Sequence, residues 1–125
     1  MKLNIIPDCS NSPKKELLKS LTIQFASYQL DLVMSHLDDG IAWTLVGDVP
    51  VVGKEQFKAE LEKMSHNKAQ ELTIHSIVTH GKEAAVNGEM YMQDQTVFAF
   101  ADFYEFSSAK GDKVKAITSY IIQKR

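Results

Sequence analysis

A chain of 125 residues, 44% hydrophobic and 24% charged, carries enough apolar side chain for one sizeable core, which excludes a disordered polypeptide. Its net charge of −2, with 14 basic residues scattered along the sequence, excludes the clustered basic face that a nucleic-acid groove requires. Every basic residue but one is Lys and the sole Arg is Arg125, so bidentate guanidinium recognition of phosphate or carboxylate is not expected inside a pocket.

In chain order, "MKLNIIPDCSNS" reads as a tail or short extra strand over residues 1–11, with the domain core over about 12–122. It lacks the apolar stretch of a signal peptide, and no run reaches membrane-span length. Cys9 is the only cysteine, so no internal disulfide forms; a single cytoplasmic domain is the expectation. "NSPKKELLKSLTIQFASYQLDLVMSHLDD" reads as helix, with Ser12 as N-cap and Pro13 at the first helical position. Leu17, Leu21, Phe25, Tyr28 and Leu32 define its apolar stripe. A break near Tyr28–Asp31 leaves a second, shorter helix ending about Leu37, and Gly40 supplies the stopping turn. "IAWTLVG" is a short strand, "GDVPVVG" a loop, and "KEQFKAELEKMS" an amphipathic helix with Phe57, Leu61 and Met64 on one side. Four strands follow, "ELTIHSIVTH", "EAAVNGEMYM", "TVFAFADFYEF" and "KVKAITSYII", joined by connections short enough for an antiparallel meander. Helices first and strands after predict an α+β fold.

Three stretches in this order carry a resemblance: "LDDGIAW" at the entry to the first strand, "VVGKEQF" at the third helix, and "FADFYEFSSAKGDKVKAITSYI" as the last hairpin. The chain resembles the nuclear transport factor 2-like superfamily, with its SnoaL-like cyclases and ketosteroid isomerase, from about Ser12 to Ile122. The resemblance implies a cone-shaped curved antiparallel sheet wrapped around N-terminal helices, the cystatin-type α+β barrel, with a pocket at the open end and a homodimer through the sheet face. Fold alone does not name a reaction, since the superfamily holds enzymes, binders and dimerisation modules.

The chemistry centres on Asp102. Strand alternation puts Phe98, Phe100, Asp102, Tyr104 and Phe106 on one face and Val97, Ala99, Ala101, Phe103 and Glu105 on the other. An aspartate among four aromatics should be held protonated by desolvation and could donate to a developing oxyanion. Aligning the last hairpins with the isomerase puts Asp102 at the oxyanion-hole position. The plainer reading is a structural acid bonded within the core. The isomerase's base position falls at or beside Thr44, which cannot abstract a proton, and Asp38, Asp39 and Asp48 lie elsewhere. An Asp–Arg–Asp epoxide-opening device lacks its arginine.

Tyr104 and Tyr28 are candidate partners of Asp102, with core tyrosines as the plainer reading. Trp43, Phe98, Phe100, Met90 and Ile117 are candidate ligand-lining residues, with Met92 beside Met90. Asp31 and His36 are weaker candidates. His75 and His80 face opposite sides of a regular strand, His66 is solvated, and no metal or cofactor is expected. Outward-facing Phe103, Ile77 and Val97 form an apolar patch that a second copy would bury. Two functions result: a dimeric module holding a small, largely apolar molecule, or a SnoaL-like or isomerase-like enzyme using Asp102 on a small carbonyl compound. The missing base puts the binding module first. Neither nucleic acid nor membrane is an expected partner.

Overall fold

The computed structural model describes residues 1–9 and 12–124, and Arg125 lies outside them. In chain order the elements are β1 (Lys2–Ile5), α1 (Pro13–Ala26), α2 (Leu30–Ser35), β2 (Leu37–Leu45), β3 (Val51–Val52), α3 (Lys54–Met64), β4 (Ala69–His80), β5 (Glu83–Met92), β6 (Val97–Phe106) and β7 (Val114–Lys124). Among the described residues the strands form one curved, unclosed sheet in the order β1-β4-β5-β6-β7-β2-β3. β4 to β7 make the expected antiparallel meander. β2 joins β7 in parallel, β1 joins β4 in parallel, and the two-residue β3 pairs antiparallel with β2. The fold is α+β, as the order of elements predicts.

α1 begins where its sequence says it should. The Ser12 hydroxyl accepts the Lys15 N–H at 3.4 Å, and Pro13 opens the first turn. Leu18, Leu21, Thr22 and Ala26 are its buried residues, with Leu17 and Phe25 partly buried against the core. The helix breaks at Tyr28, whose φ of 54° is a left-handed conformation that few residues other than glycine adopt. That break resets the helical face. α2 buries Val33, while Leu32, expected to continue the stripe, is 48% exposed.

Two further expectations need correction. β2 starts at Leu37, so Asp38, Asp39 and Gly40 lie within an irregular strand and not in a helix-ending turn. The Asp38 carboxylate holds this start by accepting from the Gly40 N–H at 3.1 Å and the Ser107 hydroxyl at 2.7 Å. Cys9, placed in a tail by the sequence, is 4% exposed and packs in the core.

The sheet bends through β4. Gln70 and His75 each stand unmatched in the β4–β5 register, between Ala69/Glu71 and Ile74/Ser76. Opposite the second bulge is Gly88, where a Cβ would lie 1.9 Å from the Thr73 carbonyl oxygen and 3.0 Å from Phe100 Cζ. Only a residue without a side chain lets the two strands approach this closely. The extra residue also changes which side chains face inward. His75 and Ser76 are both exposed, and Ile77 returns to the core at 4% exposure. Ile77 is therefore not part of the outward patch, and His75 and His80 are both exposed where a regular strand would have separated them.

The core lies between the concave sheet face and the helices, with Leu72, Ile74, Val86, Phe106, Val114, Ile41 and Phe57 among its fully covered members. No described helix is long and apolar enough to cross a membrane. Gly88→Ala is expected to destabilise the fold by about 1–3 kcal/mol or more through forced overpacking, lowering Tm by roughly 5–15 °C. Thermal denaturation followed by circular dichroism checks this, and an unchanged Tm would mean that the close approach at Gly88 is unimportant.

Candidate functional site

Bending the sheet away from α1 and α3 leaves a cavity of about 510 Å³, within the range of small-molecule sites. Its wall is mostly apolar. Trp43 from β2, Met90 from β5, Phe98 and Phe100 from β6 and Ile117 from β7 all line it, as do Asp102 and Tyr104. Tyr28, Val46, Asp48, Met64, His66 and Asn67 stand at the mouth, where Val46 is 50% exposed. At the other extreme, Thr22, Tyr104 and Ser119 are buried.

Asp102 projects from the inner side of β6, as alternation predicts. Directly across the β6–β7 ladder is Ser119, whose hydroxyl is the polar neighbour that favours the ionised carboxylate. Ser119 is itself an acceptor for the Trp43 indole N–H at 3.0 Å. Having accepted from Trp43, that hydroxyl still has its proton to turn toward Asp102. Trp43 in turn rests on Phe57, ring centroids 5.0 Å apart, and Phe57 lies 5.7 Å from Phe25. A continuous row of packed rings thus runs from α1 through α3 to the donor that orients Ser119.

Removal from water dominates the electrostatics of the site. Burial pushes the Asp102 carboxyl up to about 6, and the Ser119 hydroxyl pulls the other way. Burial likewise pushes the Tyr104 phenol well above its ordinary value; the Asp102 charge adds to this, and the neighbouring Thr22 hydroxyl partly offsets it. Thr22 donates its own proton to the Leu18 carbonyl at 2.8 Å. The Tyr104 hydroxyl makes no hydrogen bond of normal geometry, so it is a buried donor with nothing to donate to.

The other candidates are dispersed. The Tyr28 hydroxyl donates to the Met64 carbonyl at 3.0 Å, so it ties the helix break to the end of α3 instead of meeting Asp102. Asp31 is exposed and pairs with Lys58 at 3.7 Å. His36 caps α2 outside the cavity, with burial and then the Lys113 charge holding its pKa down. Thr44 lies between cavity-lining Trp43 and Leu45 and so turns to the opposite sheet face, in register with Thr118. Among the described residues no cluster of His, Cys, Asp and Glu could hold a metal ion. Sequence reasoning missed Ser119 and Thr22. Both had a signal: Ser119 is the one polar residue in the alternation Ile117, Ser119, Ile121, and Thr22 interrupts an apolar helix face.

A SnoaL-like domain model matches residues 20–117. No protein of curated function matches the chain. Among solved structures, a nuclear transport factor 2-like protein of unknown function from Cytophaga hutchinsonii is 22% identical, covering 87% of this chain and 99% of its own, with a TM-score of 0.68. A candidate SnoaL-like polyketide cyclase from Shewanella denitrificans is 9% identical over 90% of this chain and 92% of its own, with a TM-score of 0.75. A candidate ketosteroid isomerase from Kribbella flavida is 13% identical over 90% of this chain and 79% of its own, with a TM-score of 0.73. At these identities the likeness is one of fold.

The raised Asp102 pKa makes a stability prediction. Its protonated form is favoured in the folded state, so the associated stability is complete below pH 4 and is lost as pH rises through about 6. Above pH 7, Asp102→Asn should be more stable than the wild type by on the order of 2–3 kcal/mol, and the difference should vanish near pH 4. Denaturant melts of both proteins at a series of pH values measure it. A constant difference from pH 4 to 8 would place the carboxyl in an ordinary, watery environment.

Proposed function

The chain is a member of the SnoaL-like domain family, and from that premise we propose that its cavity receives a small, largely apolar molecule whose polar group meets Asp102. The observation that carries this reading is one carboxyl deep in a mostly apolar chamber, beside the Ser119 hydroxyl and facing free volume. A structural aspartate would be expected to have its acceptor positions filled by the protein. Here the Ser119 hydroxyl is the polar group beside it, and the neighbouring Tyr104 donor is unused. Met90 and Met92 give the wall the adaptable surface that suits a flexible apolar ligand.

A second reading has one observation behind it. Asp102 and Tyr104, two residues apart on one strand face, are a pair of proton donors of the kind that stabilises a developing oxyanion on a small carbonyl compound. An isomerase-like or cyclase-like enzyme also needs a base. The remaining titratable residues on the wall are Tyr28, already bonded to Met64, and Asp48 and His66 at the mouth. Binding therefore ranks ahead of turnover.

The proposal extends to the outward sheet face as a homodimer surface. Phe103, Tyr120, Ile122 and Val78 are 46–67% exposed there, with the Phe103 and Tyr120 rings edge-on at 5.9 Å. Two ion pairs cross the same face, Glu89 with Lys124 and Glu105 with Lys115. Such pairing reduces the repulsion that a two-fold contact between copies meets.

Two measurements follow. In a thermal-shift screen of small apolar compounds bearing one polar group, at least one should raise Tm by several degrees at about a hundredfold excess over its Kd, and Met90→Trp, which fills the cavity, should abolish the shift. No shift across a broad panel would leave a structural dimer with an unused chamber. In sedimentation equilibrium the wild type should behave as a dimer and Phe103→Lys as a folded monomer; a monomeric wild type removes the dimer from the proposal.

A further inference from the structure

We propose that the molecule this cavity is built to hold is a small hydrophobic amine, bound as its ammonium ion against the Asp102 carboxylate. The inference rests on the binding reading above and names its ligand class. Its first support is the charge of the chamber. The acidic side chains on the wall are Asp102 and Asp48, and among the described residues His66 at the mouth is its basic one, with no Lys. Acidic side chains therefore stand both at depth and at the mouth.

The second support is the hydrogen bonding around Asp102. The polar group nearest it across the ladder is the Ser119 hydroxyl, which the Trp43 indole N–H positions, and among the described residues no side chain of the protein makes a hydrogen bond of normal geometry to the carboxyl. The carboxyl thus keeps acceptor capacity toward the free volume. Three ligand classes compete for it. A carboxylate is repelled by both acids. A neutral ketone needs the protonated acid, yet above pH 7 a carboxyl that titrates near 6 is mostly ionised. An alcohol donates a hydrogen bond but leaves a net charge buried, which is costly. An ammonium both donates and neutralises, and a charge-assisted pair is about twice as strong as a neutral bond.

The third support is the aromatic surface flanking the acid. Trp43, Phe98, Phe100 and Tyr104 present rings to the same chamber. Ring faces attract cations, more strongly when both are out of water. Asp48 at the mouth adds attraction of the same sign for an entering cation. The groups that face Asp102 from the neighbouring elements are Tyr104 on β6, Ser119 on β7, Val86 on β5 and Trp43 on β2, with Tyr28, Asp48 and His66 further out at the mouth. Of these, Tyr104 is the titratable group whose ionisation Asp102 opposes, and it stays neutral through the physiological range.

Isothermal titration with naphthylethylamine, naphthylacetone and naphthylacetate tests the assignment, because the three share a ring and differ in the polar group. At pH 7.5 the amine should bind at least about tenfold more tightly than the ketone, and the acetate should not bind. Amine affinity should rise by about tenfold from pH 5 to pH 7.5 as Asp102 ionises. Asp102→Asn, which removes the charge at constant shape, should abolish both the preference and the pH dependence; circular dichroism confirms that it is folded. Ketone binding equal to or tighter than amine binding, or amine affinity that rises toward acid, overturns the amine assignment and leaves the cavity reading standing. Binding by none of the three removes both.

Discussion

A backbone carbonyl sits where a side chain would otherwise stand. The Thr73 oxygen occupies the space beside Gly88 in which a Cβ would lie, and this close approach accompanies the β4 bulge at His75. Curvature of the sheet, the separation of its inner face from α1 and α3, and hence the existence of a chamber all depend on it. The same bulge decides composition on both sides of β4, because it turns Ile77 inward and leaves His75 and Ser76 outside. One irregularity in a ladder thus shapes the cavity and the convex face together.

Within that chamber the chemistry is a matter of how few polar groups are present. Asp102 has Ser119, Ser119 has Trp43, and Trp43 is wedged on Phe57. Each link leaves the next with fewer choices, so the carboxyl is held in place by rings that belong to helices elsewhere in the sequence. This is preorganisation in the ordinary sense: the cost of orienting the acid is met when the chain folds. It also ties the orientation of the acid to the core, since the rings behind Trp43 also fill the space there.

Much of this could be read from the residues, and the exceptions share a cause. Ser12 and Pro13 announce the first helix through local chemistry, and the alternation of Phe98, Phe100, Asp102 and Tyr104 announces an inner face. Wherever a regular period holds, sequence reasoning succeeds. It fails where the period is interrupted. The left-handed Tyr28 rotates α2, so Leu32 falls outside the core and the Tyr28 hydroxyl meets Met64 instead of Asp102. The extra residue in β4 moves Ile77 across the sheet. Ser119 was missed for a different reason: its importance comes from register with Asp102, a relation between two strands that neither strand states alone. Cys9 is of this kind too, buried by contacts with residues distant in the chain.

The position of β7 has a consequence for how the molecule comes into being. The last strand of the chain lies between β6 and β2 in the sheet. Ile41 and Trp43, emerging early from the ribosome, have no sheet neighbour on that side until residues 114–124 arrive. α3 packs on β2 within the amino-terminal half and covers one face of it without β7. The β7-facing edge of β2 is therefore unpaired while residues 46–113 are made, and its closure joins segments far apart in the sequence. Such long-range closure makes assembly slow and leaves the nascent chain in need of shielding.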